Sequence, residues 1–165
     1  MAVMADESSL TAMGIPGLLR AARKAYGNAI RDAFAAAGFD DIPRNGAYVL
    51  ARTYDNPSPL SALTRELGIS KQAVSQLIDI MVMRGYLERS EDSEDRRRML
   101  ITLTRRGQTA ARVSWEAATD VDAELASRLP PDGVEAMRAG LRVLAELGLA
   151  DDPAPAAKQG NGEDG

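Results

Sequence analysis

Residues 58–107 read SPLSALTRELGISKQAVSQLIDIMVMRGYLERSEDSEDRRRMLITLTRRG, and they are the most informative part of the chain about its fold. Ser58 followed by Pro59 is the pattern of a helix N-cap and a first helical position. Gly68 then indicates the end of a short helix, and Ser70 indicates the cap of the next one. The beginning of the stretch therefore predicts two helices joined by a tight turn.

The second of these helices has one apolar and one polar face. The apolar residues recur at helical spacing: Val74, Leu77, Ile78, Met81 and Val82. The opposite face carries Lys71, Gln72, Ser75, Gln76 and Asp79. Most of these side chains are hydrogen-bonding groups on short or medium stems, which suit base edges and phosphates in a major groove. We read Asp79 as a local salt-bridge partner, for instance of Arg84.

Two strand-like runs follow, at residues 86–89 and 99–103, with a charged tip at residues 91–98 between them. A helix-turn-helix followed by a charged hairpin is a winged helix, so the sequence predicts a DNA-binding domain. The wing candidates are Asp95, Arg96, Arg97 and Arg98. Because side chains alternate along a strand, one arginine can enter a narrow minor groove while another pairs with Asp95.

The polar face of the second helix divides into two parts. Ser70 and Lys71 lie at the helix start, where phosphate contacts are favoured. Gln72 and Gln76 lie further along, and a carboxamide can pair with the N6 and N7 atoms of adenine. Ser75 lies on the same face. We predict that this face contacts bases or phosphates. The alternative is a merely solvated helix face.

The composition excludes several functions. The chain of 165 residues is 45% hydrophobic and 27% charged, which fits one soluble domain with or without a tail. It contains neither cysteine nor histidine, so disulfides and thiolate metal sites are excluded and the commonest general base is missing. No apolar run reaches the roughly 18 residues that span a membrane, and no secretory signal is visible. We expect a cytoplasmic protein that needs no cofactor or metal and has no membrane partner.

The charge is unevenly distributed. A net charge of −4 argues against nucleic-acid binding when it is taken alone. However, no acidic residue occurs from Arg96 to Trp115, a segment that is rich in arginine. A local basic patch, rather than the total charge, steers a protein to DNA.

The whole chain is predicted to be mainly α-helical with a small β-hairpin. We expect a single domain at residues 1–149, with a winged-helix lobe at about residues 42–104, and a disordered acidic tail at residues 150–165. Helices at about residues 14–38 and 105–149 carry long apolar stripes, which predicts a homodimer built from them. A monomeric bundle is the alternative. The start signals of the other helices are Pro16, Asp40 or Asp41 with Pro43, Thr104 and Asp132.

Four blocks of the chain resemble the MarR family of winged helix-turn-helix transcriptional regulators. The blocks are residues 63–70, 73–79, 84–89 and 95–107. The last block is the most specific, because an Asp-Arg-Arg wing leads into a strand and then into Leu-Thr-x-x-Gly. The helix order over about residues 15–148 is also similar to that family. Gln76 and Thr64 depart from the family pattern, where arginine and alanine are common.

The resemblance implies a triangular homodimer with each recognition helix in a major groove and each wing at a minor groove. It implies a pseudo-palindromic operator in double-stranded DNA, usually for repression. For many members it also implies release by a small aromatic effector, bound between the dimer helices and the DNA-binding lobe. The family pattern further implies that Asp95 orients Arg97 at the groove.

Three aromatic residues are candidates for lining such an effector pocket: Tyr26, Tyr48 and Trp115. Ordinary core or interface packing is the alternative for each of them. Two other functions compete with a ligand-responsive repressor. One is a winged-helix module for dimerisation or protein contact without specific DNA binding. The other is an enzyme, against which the chain shows no glycine-rich phosphate loop and no room for a catalytic domain after the last helix.

Overall fold

A computed structural model describes residues 10–91 and 99–150 of the chain. The helices and strands follow in the order α1 (Ile15–Ala36), α2 (Gly46–Thr53), β1 (Ser58–Pro59), α3 (Leu60–Leu67), α4 (Lys71–Met83), β2 (Leu87–Glu91), β3 (Met99–Leu103), α5 (Arg105–Arg128) and α6 (Gly133–Ala150). The chain divides into two compact units, Met1–Val121 and Asp122–Gly165. The first unit contains the winged helix.

Helices α3 and α4 form the predicted helix-turn-helix. Gly68 ends α3 with a φ of +62°, a left-handed conformation that glycine adopts without strain. The Ser70 hydroxyl accepts a hydrogen bond from the backbone N–H of Ala73 at 3.2 Å, so the predicted cap of α4 is confirmed. The apolar face of α4 is buried through Val74, Leu77, Ile78 and Met81.

The wing belongs to a three-stranded antiparallel sheet of order β1-β3-β2. Strands β2 and β3 pair from Leu87 with Leu103 to Glu91 with Met99, as the hairpin prediction requires. Strand β1 adds a short edge on which Ser58 pairs with Ile101. Proline lacks a backbone donor and is tolerated on such an edge, which accounts for Pro59.

The predicted N-cap role of Ser58 is wrong. Ser58 is fully buried in β1, and α3 begins at Leu60 with Pro59 in the cap position and no side-chain cap. The Ser58 hydroxyl instead accepts a hydrogen bond from Nη1 of Arg52 at 3.3 Å. Strand pairing therefore competes successfully with helix capping at this position.

Helix α2 begins later than predicted. The sequence suggested a start at Asp40 or Asp41 with Pro43, whereas α2 begins at Gly46 after a turn in which the Gly46 N–H donates to the Pro43 carbonyl. Asn45 precedes it in the left-handed region with a φ of 68°, which asparagine tolerates better than most residues. Asp41 caps no helix because its carboxylate binds side chains from two other segments.

The start of α5 lies directly against Tyr86. The Thr104 hydroxyl accepts from the Gly107 N–H at 3.1 Å, which confirms the predicted cap. Its oxygen also lies 2.5 Å from the Gly85 carbonyl, to which it donates. A Cβ on Gly107 would stand 2.0 Å from the Tyr86 carbonyl oxygen. The Leu-Thr-x-x-Gly pattern is therefore explained by a helix start packed on backbone.

The core of the first unit joins the helix-turn-helix to α1, α2, α5 and the sheet. Its largest fully buried side chains include Leu50, Leu63, Ile78, Met81, Tyr86 and Ile101. The second unit is different, because α6 buries no side chain among residues 133–148. Within residues 10–91 and 99–150, no helix combines the length and apolarity that a membrane span requires.

Candidate nucleic-acid interface

The polar face of α4 points away from the core. Lys71, Gln72 and Gln76 are exposed, and Ser75 is half-buried between them. The opposite face of the same helix is buried in the first unit, so α4 is held by one side and presents the other. This arrangement leaves the carboxamides and the ammonium group free to contact a partner.

The start of α4 combines a helix cap with an exposed cation. The Ser70 hydroxyl oxygen accepts from the Ala73 N–H, which leaves the hydroxyl proton available to an anion. Lys71 follows as the first residue of the helix. The positive end of the helix dipole adds to both groups, so this end of α4 suits a phosphate.

An ion pair links α4 to the base of the wing. Nη2 of Arg89 on β2 lies 2.5 Å from Oδ1 of Asp79 on α4. The prediction that Asp79 serves a salt bridge is confirmed, but the suggested partner Arg84 is wrong. Arg84 follows the last turn of α4 and donates to the backbone carbonyl of Asp41 instead. Pairing with Arg89 also neutralises an acid that would otherwise repel DNA from this helix.

Met83 lies on the polar face of α4, but it was not among the contact residues predicted from the sequence. Its side chain is 77% exposed, the highest value among the large apolar residues that the structure describes. The spacing of residues 72, 76, 79 and 83 continues one helical face, and this periodicity could have identified it. An exposed methionine on a polar face suits an apolar contact, such as the methyl group of thymine.

The predicted wing residues Asp95, Arg96, Arg97 and Arg98 lie outside the described residues. The flanking strands are described: β2 ends at Glu91 and β3 begins at Met99, and these two residues are paired with each other. The candidates for a minor-groove contact stay predictions.

Helices α2 and α3 are joined by a polar cluster. Oε2 of Glu66 accepts from Nε of Arg52 at 2.8 Å and from the Tyr48 hydroxyl at 3.0 Å. Burial and the hydrogen bond to Glu66 raise the pKa of Tyr48. This cluster fixes α3, the helix that precedes the turn, against α2.

The three aromatic candidates for an effector pocket occupy different helices. Tyr48 on α2 is 42% exposed and its hydroxyl is engaged by Glu66. Trp115 on α5 is 64% exposed, and Tyr26 on α1 is half-buried. Their role in an effector pocket stays a prediction.

A second polar cluster was not foreseen from the sequence. The Tyr86 hydroxyl donates to Oδ1 of Asp41, and Nη2 of Arg106 lies 2.9 Å from the Tyr86 hydroxyl and 3.0 Å from Oδ1 of Asp41. The hydrogen bond from Tyr86 lowers the pKa of Asp41, and the charges of Arg106 and Arg84 act in the same direction. Burial raises the pKa of Tyr86, and its hydrogen bond to Asp41 adds to this. The residues are too distant in sequence for any periodicity to connect them.

The winged-helix segment matches a known protein family. A sequence model described as the MarR family matches residues 40–98, which contain α2, the helix-turn-helix and the first wing strand. The winged-helix segment is therefore similar to the MarR family over these residues. The proposed resemblance and the winged-helix fold are both confirmed. No curated protein sequence matches the chain.

Solved structures of MarR regulators share the fold over most of the chain. A MarR transcriptional regulator from Methanosarcina mazei Go1 is 23% identical with a TM-score of 0.64, covering 81% of this chain and 96% of its own. A transcriptional regulator from Thermotoga maritima is 25% identical with a TM-score of 0.53, covering 81% and 90%. A protein described as a MarR family transcriptional regulator from Listeria monocytogenes, complexed with 26mer DNA, is 14% identical with a TM-score of 0.72, covering 84% and 91%.

Proposed function

We propose that this protein is a homodimeric transcriptional repressor that binds a pseudo-palindromic operator in double-stranded DNA and responds to a small ligand. The observation that carries the proposal is α4, whose apolar face is buried while Lys71, Gln72 and Gln76 face outward. The similar protein from Listeria monocytogenes, complexed with 26mer DNA, supports the same use of the fold.

In this proposal the two parts of the interface have different tasks. Ser70 and Lys71 bind phosphate and fix the register of the helix, whereas Gln72, Ser75 and Gln76 contact base edges. The wing residues Asp95, Arg96, Arg97 and Arg98 contact the neighbouring minor groove, with Asp95 orienting Arg97.

The homodimer is supported by exposed apolar side chains on helices of both units. Ile15, Leu18 and Leu19 are exposed on α1, and Leu144 and Leu147 on α6. Exposed apolar side chains at helical spacing mark surfaces that a partner covers. A second copy of the chain would cover both sets and present two recognition helices to two half-sites, as operator symmetry requires.

The ligand response is assigned to aromatic side chains. Tyr26, Tyr48 and Trp115 are its candidate contacts, and Trp115 offers the most exposed aromatic surface of the three. A phenolic or other aromatic compound that lowers operator affinity should quench the fluorescence of this single tryptophan if Trp115 lines the pocket.

Selection of bound sequences from random duplex DNA, followed by affinity measurements across a salt series, tests the function. We expect a two-fold symmetric consensus and an affinity that falls as salt rises. A winged-helix module that serves only protein contact would yield no consensus, and binding to selected and scrambled duplexes would be equal.

A further inference from the structure

The cluster of Asp41, Tyr86 and Arg106 joins three segments of the first unit. Asp41 lies in the loop between α1 and α2, Tyr86 immediately precedes β2, and Arg106 lies in the first turn of α5. The ring of Tyr86 is fully buried, and its hydroxyl is shared between the carboxylate and the guanidinium. The Arg106 guanidinium also lies 4.4 Å from the centre of the Tyr86 ring, a cation–π distance.

Tyr86 is fixed to the recognition helix as well. Its backbone N–H donates to the carbonyl of Met81 in the last turn of α4 at 2.9 Å. Arg84, which follows that turn, donates to the backbone carbonyl of Asp41. The end of α4 is therefore bound to the same loop that Tyr86 and Arg106 contact through the Asp41 carboxylate.

Tyr86 also contacts the segment that follows α1. The rings of Phe39 and Tyr86 lie 6.1 Å apart, and Phe39 in turn meets Phe34 of α1 edge-on at 6.3 Å. On the other side, Gly107 of α5 is packed against the Tyr86 carbonyl. Tyr86 thus connects α4 to α5 directly and to α1 through Phe39, and α1 and α5 are among the helices predicted to dimerise.

We propose that Arg106 is a positioning residue that acts through the Tyr86 hydroxyl and Asp41 to set the orientation of α4 relative to α5. In the dimer this orientation fixes the distance between the two recognition helices, and so the preferred spacing of operator half-sites. The inference rests on the proposed dimeric, DNA-binding function. It adds a residue that touches no base and nevertheless determines which operators fit.

The distance between the recognition helices can be measured without DNA. Because the chain contains no cysteine, Met83→Cys places one thiol on the exposed end of each α4 for a spin label. Pulsed electron paramagnetic resonance on the dimer then reports the distribution of distances between the two labels. We expect a narrow distribution that becomes broader in Tyr86→Phe and in Arg106→Ala. Tyr86→Phe keeps the buried ring and removes only the hydroxyl.

Matched variants separate positioning from general destabilisation. Arg106→Lys retains the charge but loses the planar fork, so we expect incomplete rescue of the narrow distribution. Arg105→Ala removes a neighbouring exposed arginine that lies outside the cluster, and it should leave the distribution unchanged. The same variants are measured on selected operators with base pairs inserted between the half-sites. Tyr86→Phe should lose part of the penalty for wrong spacing, whereas partial unfolding would weaken all operators equally.

The outcomes distinguish this inference from the function on which it rests. Absence of dipolar coupling in the otherwise unchanged label variant would contradict the homodimer, and the inference would fall with it. A narrow distribution and a full spacing penalty in both Tyr86→Phe and Arg106→Ala would overturn the inference alone. In that case the cluster would stabilise the first unit without setting its geometry.

Discussion

Helices α4 and α6 have similar amphipathic sequences but different surroundings. The apolar face of α4 is buried inside its own unit, and its polar face is presented outward. Helix α6 has no buried side chain among residues 133–148, and its Leu147 is 63% exposed. An apolar stripe therefore predicts a helix in both cases, but it does not reveal whether the same chain covers that stripe. An apolar stripe that stays exposed marks a surface that a partner can cover.

The largest effect is expected when the stripe of α6 is made polar. Leu141→Asp combined with Leu144→Asp places charges where a second copy should pack, so the protein should sediment as a monomer and lose operator binding. Met83→Asp is the control, because Met83 is also an exposed apolar residue but lies on α4. The control should remain dimeric. A double variant that stays dimeric would show that α6 is not the dimer interface.

Truncating the fully buried Ile78 tests whether the apolar face of α4 is packed inside its own unit. Ile78→Ala should lower the free energy of unfolding by about 2–5 kcal/mol, because it leaves a cavity in a packed core. Urea unfolding measures this decrease. Val143→Ala is the control, because it truncates an exposed residue of α6 rather than a core residue. Equal decreases at both positions would mean that the two helices are covered to the same extent.

The contrast between α4 and α6 also shows which features of the fold could be predicted from the sequence. Gly68, Ser70 and Thr104 act through local backbone geometry, so the capping patterns correctly predicted the end of α3 and the starts of α4 and α5. Ser58 and Asp41 were misassigned because their partners are distant in sequence: β3 for Ser58, and Tyr86 with Arg106 for Asp41.

In the candidate site, too, features set by local sequence could be predicted and features set by tertiary packing could not. The outward face of α4 could be derived from periodicity alone, because a buried stripe fixes the opposite face. The pairing of Asp79 with Arg89 could not, since it depends on where β2 lies beside the helix. The polar cluster around Tyr86 was invisible for the same reason: tertiary packing, rather than local pattern, brings its members together.

Substitutions in the wing should have smaller effects than substitutions in the dimer interface or the core. Arg97→Ala should weaken operator binding by about 1–3 kcal/mol, the range of a close specific contact. Asp95→Ala should also weaken binding, because the role we propose for Asp95 is to orient Arg97, although the substitution removes a negative charge. Titration of a labelled operator measures both variants. Tighter binding by Asp95→Ala would refute the orienting role, since simple charge attraction predicts that sign.

A small acid-dependent effect is expected at Asp41. Because the pKa of Asp41 is lowered in the folded protein, its ionisation stabilises the fold above its ordinary pKa of about 4 and this contribution disappears as the pH falls through the lowered value. Asp41→Asn should therefore reduce the urea midpoint at neutral pH more than in acid. The difference should be small because the Asp41 side chain is 41% exposed. An equal reduction at both pH values would contradict the assignment.

We expect α4 to be divided into a start that anchors the protein to phosphates and a middle that reads bases. The affinities of Gln72→Ala, Gln76→Ala and Lys71→Ala for operator and scrambled duplexes across a salt series test this division. Both glutamine variants should lose discrimination while keeping non-specific affinity, because carboxamides carry base information and no net charge. Lys71→Ala should weaken both duplexes alike and lower the salt slope by about one for each phosphate that the lysine no longer neutralises. Full discrimination in both glutamine variants would contradict the claim, and specificity would then reside in the wing or in DNA shape.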